Sequence, residues 1–288
     1  PLSIASGEMR IRDGKLIVGS GAVDDSWNYQ FNSDGLYVYS NGQWENIHRE
    51  KFSLLDSLLD FVTVEPGNDG SFWAGSFGGG LLQVKPNNQF EIYKQGFLGE
   101  TIGDPGSYRV GGLALDKEQH LWISNFGSSE PLRVRKKDGS WKNFAPPFFL
   151  FERALSQLII DDKDFKWIVS PLGNGVVVFD HGNSIDDISD DRWRKLTEGA
   201  GNGNLPSAEV WAVVKDKNGF IWVGTSNGIA VYECAVDVFS GCDAVWPVVS
   251  EGSFPGYLLQ GQQVRSIAID GANRKWIATA NGVFLVSP

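Results

Sequence analysis

Methionine, cysteine, histidine and positive charge are all scarce in this sequence. Its 288 residues include one Met, two Cys and three His, and 25 Lys and Arg stand against 35 Asp and Glu, for a net charge of −10. A nucleic-acid partner needs a clustered basic surface, so this balance argues against one. No HExxH or paired CxxC motif is present, so the usual signatures of zinc hydrolases are missing. We expect no metal and no cofactor.

Long apolar runs are also lacking. No stretch approaches the roughly 18 unbroken apolar residues of a membrane helix, so no membrane span is predicted in this chain. Glycine (35 residues) and tryptophan (11 residues) are plentiful instead. Many turns combined with many large aromatic residues favour short strands over helices.

A repeated pattern runs through the chain. In each copy a hydrophobic strand ends in Asp or a turn, a Trp follows within a second strand, and a Gly opens a third. The clearest copy contains Asp216, Trp222 and Gly228. The anchor position, at spacings of 45 to 56 residues, is filled by Ile17, Trp73, Trp122, Trp167, Trp222 and Trp276. A propeller blade repeats every roughly 40 to 50 residues plus loop insertions.

Most copies also carry a fourth strand-like segment, and four strands make up a propeller blade. The sequence therefore predicts an all-β fold, a single β-propeller domain over residues 1–288, with six visible four-stranded blades and a seventh as the alternative. The last copy stops after its third strand, and the segment from Leu2 to Ala5 is a hypothetical outer strand that closes the ring. A Trp at the same place in each blade is interpreted as packing between blades rather than as a binding residue.

The stretch from Asn204 to Gly228 closely resembles the two-component-regulator propeller repeat of Bacteroidetes. The segments from Gly228 to Cys234 and from Asn281 to Pro288 are more similar to the PorZ-like accessory propellers of type IX secretion. This resemblance implies a non-catalytic recognition module in the periplasm or on the cell surface. It implies a surface glycan, anionic lipopolysaccharide or a secretion-system protein as partner. It also implies that the chain is a fragment of a longer multidomain protein.

Two other functions stay open. Similar propellers form the periplasmic glycan-sensing domains of hybrid two-component histidine kinases. Propellers also include glycosidases and lyases, and a glycosidase needs two carboxyl groups some 5 to 9 Å apart, as a rough guide. Acidic residues in the long loops, such as Asp104 and Glu209, show no signature of such a pair. We therefore expect that this protein is not an enzyme.

The long loops are the expected binding surface. Antiparallel strands alternate in direction, so loops between the second and third strands share one face with the loops between blades. Most long insertions fall in these two classes and carry aromatic residues, Phe31 and Phe77 among them. Aromatic rings stack on sugars, and Arg pairs with carboxylate or phosphate. The predicted ligand-binding residues are Trp27, Tyr29, Tyr108, Arg109, Phe126 and Arg153. The alternative is that several of the aromatic residues pack beneath their own loops.

The two cysteines, Cys234 and Cys242, are eight residues apart in one loop. This spacing permits a disulfide, and an even number of cysteines suits an oxidising compartment. Two reduced thiols are the alternative.

Overall fold

The computed structural model describes residues 1–251 and 254–288, and these divide into two compact units, Pro1–Ala145 and Pro146–Pro288. Both units consist of β-strands, with short 3-10 turns at Ser53–Leu55, Pro86–Asn88, Phe151–Arg153 and Ala235–Ser240. Every strand pairing is antiparallel. The predicted all-β class is confirmed.

The first unit contains three four-stranded meanders. Their strands are β1 (Met9–Arg12), β2 (Lys15–Gly19), β3 (Leu36–Ser40) and β4 (Gln43–Ile47); β5 (Phe61–Pro66), β6 (Phe72–Gly78), β7 (Gly80–Lys85) and β8 (Gln89–Tyr93); β9 (Tyr108–Leu115), β10 (Leu121–Phe126), β11 (Leu132–Arg135) and β12 (Trp141–Phe144). The second and third meanders are also joined, because the end of β6 pairs with the start of β9. This junction places the loop residues that follow β6 beside those that precede β9.

The second unit contains one four-stranded sheet, two three-stranded sheets and a hairpin. Their strands are β13 (Leu158–Ile160), β14 (Lys166–Ser170), β15 (Gly175–Asp180) and β16 (Arg192–Leu196); β17 (Val210–Lys215), β18 (Ile221–Thr225) and β19 (Gly228–Tyr232); the hairpin β20 (Val248–Glu251) and β21 (Phe254–Tyr257); and β22 (Val264–Ile269), β23 (Lys275–Thr279) and β24 (Gly282–Val286).

The last two sheets depart from the predicted four strands. After β19 the chain enters a 3-10 turn closed by a disulfide between Cys234 and Cys242, whose Cα atoms are 5.8 Å apart. The place of a fourth strand is taken by one backbone bridge from Val231 to Val245. After the disulfide-bonded loop the chain meets the edge of β19 at this bridge and forms no continuous ladder there, so the sheet β17–β19 has three strands.

The segment from Leu2 to Ala5 forms no strand among the described residues, so the hypothesis that it completes a sheet is corrected. The side chain of Ile4 is fully exposed, and the hydroxyl of Ser3 donates to Asp34 near the first sheet. The segment is thus held near the first sheet by a side-chain hydrogen bond and not by the backbone hydrogen bonds of a strand.

The repeated Asp and Trp are joined by a hydrogen bond. The indole N–H of the Trp donates to the carboxylate six residues earlier in four copies, at 2.9, 2.8, 3.2 and 3.0 Å for Asp116–Trp122, Asp161–Trp167, Asp216–Trp222 and Asp270–Trp276. The other oxygen of each carboxylate accepts a backbone N–H four residues on. One Asp therefore closes the turn between the first two strands and orients the Trp ring.

The glycine that opens the third strand has a steric reason. Gly35 and Gly175 have φ of +80° and +87°. A Cβ there would lie 2.1 Å from the carbonyl oxygen of Ile47 and 2.0 Å from that of Leu196, respectively. Only glycine fits where a positive φ and a close backbone approach coincide.

The core lies between consecutive sheets within each unit. Trp73 packs with Val110 and Leu113 of the next sheet, and Trp167 packs with Val210 and Val213. Both rings are at most 5% exposed. The interpretation of the repeated Trp as packing between neighbouring sheets is confirmed for these two copies.

Candidate functional site

Several loops of the first unit meet around Arg109, the second residue of β9. They are the loop between β2 and β3, the end of β6, the segment that precedes β9 and the end of β10. The Nε of Arg109 donates to the Tyr29 hydroxyl at 3.0 Å, and Nη2 donates to Asp104 at 3.0 Å. Residues 75 and 80 positions away from Tyr29 in sequence are thus brought to one point.

The guanidinium of Arg109 is enclosed by three aromatic rings. Its Cζ atom lies 4.5 Å from the ring centroid of Tyr29, 5.3 Å from Phe77 and 6.0 Å from Phe126. Such faces attract a cation through the ring quadrupole. The side chain is 15% exposed, so its positive charge interacts mainly with the three rings and with the Asp104 carboxylate rather than with solvent.

The carboxylate of Asp104 is held ionised. The hydrogen bond from the Tyr29 hydroxyl, at 2.6 Å, lowers the pKa of Asp104, and the bond from Arg109 adds to this against the opposing effect of burial. Burial and the same carboxylate raise the pKa of Tyr29, which therefore stays a neutral phenol. The Tyr29 hydroxyl also contacts the hydroxyl of Ser107.

Trp27 and Phe126 lie beneath the loop. Their rings stack with centroids 5.5 Å apart at 15°, and their exposed fractions are 8% and 1%. Phe77 completes the group, with its centroid 5.1 Å from that of Phe126. These rings form a small hydrophobic core for the loop and offer little surface to a ligand.

Tyr108 is likewise buried, and its hydroxyl donates to Glu100 at 3.1 Å. Arg153 belongs to the second unit, where it ends the 3-10 turn Phe151–Arg153 with φ of +47°. The side chain of Asn174 fixes that turn by bonding the backbone N–H and carbonyl of Phe151. The structure thus brings four of the six predicted site residues into one cluster: Trp27, Tyr29, Arg109 and Phe126.

Phe31 is the residue that sequence reasoning undervalued. It is 70% exposed, and its ring centroid lies 5.6 Å from that of Tyr29. Its φ is +56°, a backbone conformation that costs energy for a side chain of this size. Aromatic residues alternate along this loop at Trp27, Tyr29 and Phe31, but the alternation does not reveal which ring faces outward.

A buried carboxylate maintains the conformation of Phe31. Asp60 is fully buried, and its two oxygens accept the backbone N–H groups of Gln30, Phe31 and Asn32 at 3.1, 2.8 and 2.9 Å. Three charge-assisted hydrogen bonds to one carboxylate are strong enough to hold a strained backbone. The exposed ring is therefore presented on a fixed support.

Comparisons with known proteins agree with this architecture. The two-component-regulator propeller model matches residues 204–227. PorZ, a surface component of the type IX secretion system of Porphyromonas gingivalis, superposes with a TM-score of 0.85 at 23% identity, over 98% of this chain and 40% of that chain. The chain is a β-propeller that carries a two-component-regulator propeller repeat. No curated protein matches the sequence.

Two further structures share the propeller fold at lower similarity. Virginiamycin B lyase from Staphylococcus aureus has a TM-score of 0.66 at 10% identity, over 98% of this chain and 84% of that one. The extracellular domain assigned to a hybrid two-component system of B. thetaiotaomicron has 0.62 at 16%, over 96% and 32%. The propeller spans about two-fifths of the PorZ chain. Neighbours at these identities include a lyase and the extracellular domain of a two-component system, so fold alone does not assign an activity.

The surface around Phe31 can bind by stacking and by accepting hydrogen bonds. It combines an exposed ring, the neutral phenol of Tyr29 and the carboxylate of Asp104, whose side chain is 41% exposed. Within the described residues, the propeller has no helix long and apolar enough to cross a membrane.

Proposed function

We propose that this propeller is a non-catalytic recognition module outside the cytoplasm, an accessory of type IX secretion that binds a cell-surface glycan through the surface around Phe31. The observation that carries the proposal is that Phe31 exposes its ring while its strained backbone is held by the buried carboxylate of Asp60. Residues held in strained backbone conformations cluster at active sites and ligand-binding sites, and they persist only where the surrounding structure holds them. The similarity to PorZ supports the choice of secretion accessory over other roles.

The disulfide supports the compartment. Disulfides persist in the periplasm and on cell surfaces and are rare in the cytosol. The Cys234–Cys242 bond closes the loop that follows β19, and both cysteines pack against the core of the second unit, so a reducing compartment would loosen this loop. Periplasm or cell surface is the proposed location.

The state of Asp104 supports binding rather than hydrolysis. A glycosidase needs a protonated acid beside an ionised carboxylate. The pKa of Asp104 is lowered by its bonds to Tyr29 and Arg109, so this carboxyl group is a poor proton donor. It is well suited to accept hydrogen bonds from sugar hydroxyls.

A glycan array followed by calorimetric titration tests this proposal. Phe31→Ala is expected to weaken binding at least tenfold, because stacking on an exposed ring is the main apolar contact the site offers. Phe149→Ala is the matched control, since Phe149 is 79% exposed but lies in the second unit. Equal affinities of Phe31→Ala and the unmodified protein would rule out this site.

The sequence of the full-length protein would distinguish a secretion accessory from a glycan sensor. A C-terminal sorting domain would support the accessory role, whereas a membrane span followed by a histidine kinase would support glycan sensing. Binding of a secretion-system protein or of anionic lipopolysaccharide by the loops is measured in the same titrations.

A glycosidase or lyase is the second candidate function. The raised pKa of Glu65 is the observation that favours it. Burial raises the pKa of Glu65 to about 7, with Arg10 opposing and Glu8 adding to the rise. Arg10 lies 2.6 Å from Glu8 and 3.8 Å from Glu65. A carboxyl group whose pKa is raised in this way can keep its proton near neutral pH and donate it as a general acid. Product formation from any bound glycan that is lost in Glu65→Gln would establish catalysis; binding without product would reject it for those glycans.

A further inference from the structure

The charge around Phe31 points to a class of sugar. Two of the segments that meet around Arg109, residues 24–34 and 100–109, contain five carboxylates and one guanidinium: Asp24, Asp25, Asp34, Glu100, Asp104 and Arg109. Neither segment contains Lys or His. An anionic ligand approaching this surface meets like charge, which disfavours association.

The single cation of these two segments, Arg109, is already engaged. Arg109 donates to Asp104 and to the Tyr29 hydroxyl, and three rings surround its guanidinium. An anionic sugar that takes the Nη2 position of Arg109 must displace the Asp104 carboxylate, and the surrounding rings leave the side chain only 15% exposed to any other approach. Replacing one paired carboxylate with another brings little net attraction, while the displaced Asp104 would lose two charge-assisted hydrogen bonds.

The remaining groups suit uncharged sugar rings. Phe31 offers a flat apolar face, on which the C–H face of a pyranose can stack. Asp104 is an ionised acceptor next to it, and sugar hydroxyls are donors. The Asp60 carboxylate fixes the loop before any ligand arrives, so little ordering of the backbone is needed on binding.

We infer that the Phe31 surface takes neutral pyranose glycans and discriminates against anionic ones. The inference rests on the proposed function, since it concerns the ligand class of the same site. Asp104 sets the discrimination by neutralising Arg109, and Phe31 supplies the affinity.

Titration with two probes of similar length tests the inference: the neutral oligosaccharide laminarihexaose and the anionic oligosaccharide hexagalacturonate. Alongside them, a panel of other neutral and anionic oligosaccharides is screened at 0.15 M salt. We expect neutral probes to bind in a Phe31-dependent manner and anionic probes to bind at least tenfold more weakly.

Asp104→Asn sharpens the test, because it frees the Arg109 charge without removing bulk. This variant is expected to gain at least threefold in affinity for anionic probes and to lose affinity for neutral ones. Glu50→Gln is the control: it removes the same charge from an exposed turn after β4, and neither affinity should change. Thermal unfolding checks that each variant is folded.

The possible failures are distinguishable. Anionic probes that bind as tightly as neutral ones, through Phe31, would overturn the sugar class and leave the glycan-binding function standing. The absence of Phe31-dependent binding to either class would overturn the proposed function itself. Unchanged selectivity in Asp104→Asn would show that the Asp104–Arg109 pair does not set the discrimination.

Discussion

The sheets β17–β19 and β22–β24 of the second unit share one motif but differ in burial. The Asp216–Trp222 and Asp270–Trp276 hydrogen bonds measure 3.2 and 3.0 Å, yet Trp222 is 8% exposed and Trp276 is 42% exposed. The motif therefore forms from local sequence alone. Burial is added from outside, by whichever sheet packs against the ring.

The cover of Trp222 comes from the following sheet. Val264 and Ile267 of β22 pack on it, and the ammonium of Lys275 lies 4.9 Å from its ring centroid. Lys275 also pairs with Asp216 at 3.2 Å, with both side chains almost fully buried. On β22–β24, by contrast, Val283 and Leu285 are 66% and 50% exposed beside Trp276. The difference teaches that the repeat obtains most of its stability from the neighbouring sheet.

The largest expected effect comes from deleting the two rings. Trp222→Ala should lower the free energy of unfolding by about 3 to 5 kcal/mol, since it removes a large buried side chain. Trp276→Ala removes a ring that is already half in water and should cost about 1 kcal/mol or less. Urea denaturation followed by circular dichroism measures both. Similar losses in the two variants would contradict the dependence on a covering sheet.

The buried ion pair that connects the sheets should rank next. Lys275→Ala leaves the Asp216 carboxylate buried without its cation, which is expected to cost about 3 kcal/mol. The matched surface pair is Lys215–Asp162, at 2.6 Å with the carboxylate side chain 66% exposed. Lys215→Ala should cost about 0.5 kcal/mol. The comparison fails if the surface variant is the more damaging of the two in the same denaturation assay.

The disulfide is the third difference, because it occurs beside β19 and has no counterpart in the described part of β22–β24. The double variant Cys234→Ser, Cys242→Ser opens an eight-residue separation and should destabilise the protein by about 2 to 3 kcal/mol through the entropy of the unfolded chain. Thermal unfolding with and without reductant measures it. Reductant should affect the unmodified protein and leave the double variant unchanged.

The smallest expected effect is on pH dependence. Burial raises the pKa of Asp216, but the hydrogen bonds from Lys275, two backbone amides and Trp222 outweigh it and lower the pKa overall. A depressed pKa means that the carboxylate stabilises the fold above its unfolded pKa of roughly 3.9 and that this contribution is lost as the pH falls through the folded value. The stability advantage of the unmodified protein over Asp216→Asn should therefore shrink as the pH is lowered from 6 to 3. A stability difference that grows as the pH is lowered would contradict the depressed pKa of Asp216.

Local repeats made much of the fold predictable. The Asp, Trp and Gly positions recur with the period of a propeller blade. The Asp carboxylate bonds a backbone N–H four residues later and closes a turn, and Gly35 and Gly175 adopt positive φ where a third strand begins. Interactions of this short range are encoded in residue type and spacing, which is why the all-β class and the sheet order within each copy follow from the sequence.

The candidate site was only partly predictable. The class of loop pointed to Tyr29 and Arg109, which the structure brings into contact, but it gave equal standing to Trp27, which is buried, and to Arg153, which lies in the other unit. Which aromatic residue faces outward depends on Asp60, a residue distant in sequence that accepts three backbone N–H groups of the loop.

The sequence by itself determined the repeating strand unit, its internal hydrogen bonds and the glycine turns, because those contacts are made between residues close along the chain. Tertiary structure alone decided that Phe31 is exposed, that Arg109 is neutralised by Asp104, that residues from Leu2 to Ala5 are not a strand, and that Trp222 is covered while Trp276 is not. These outcomes depend on which distant segments meet, and the free energy of burial and of ion pairing is set by those meetings rather than by residue type.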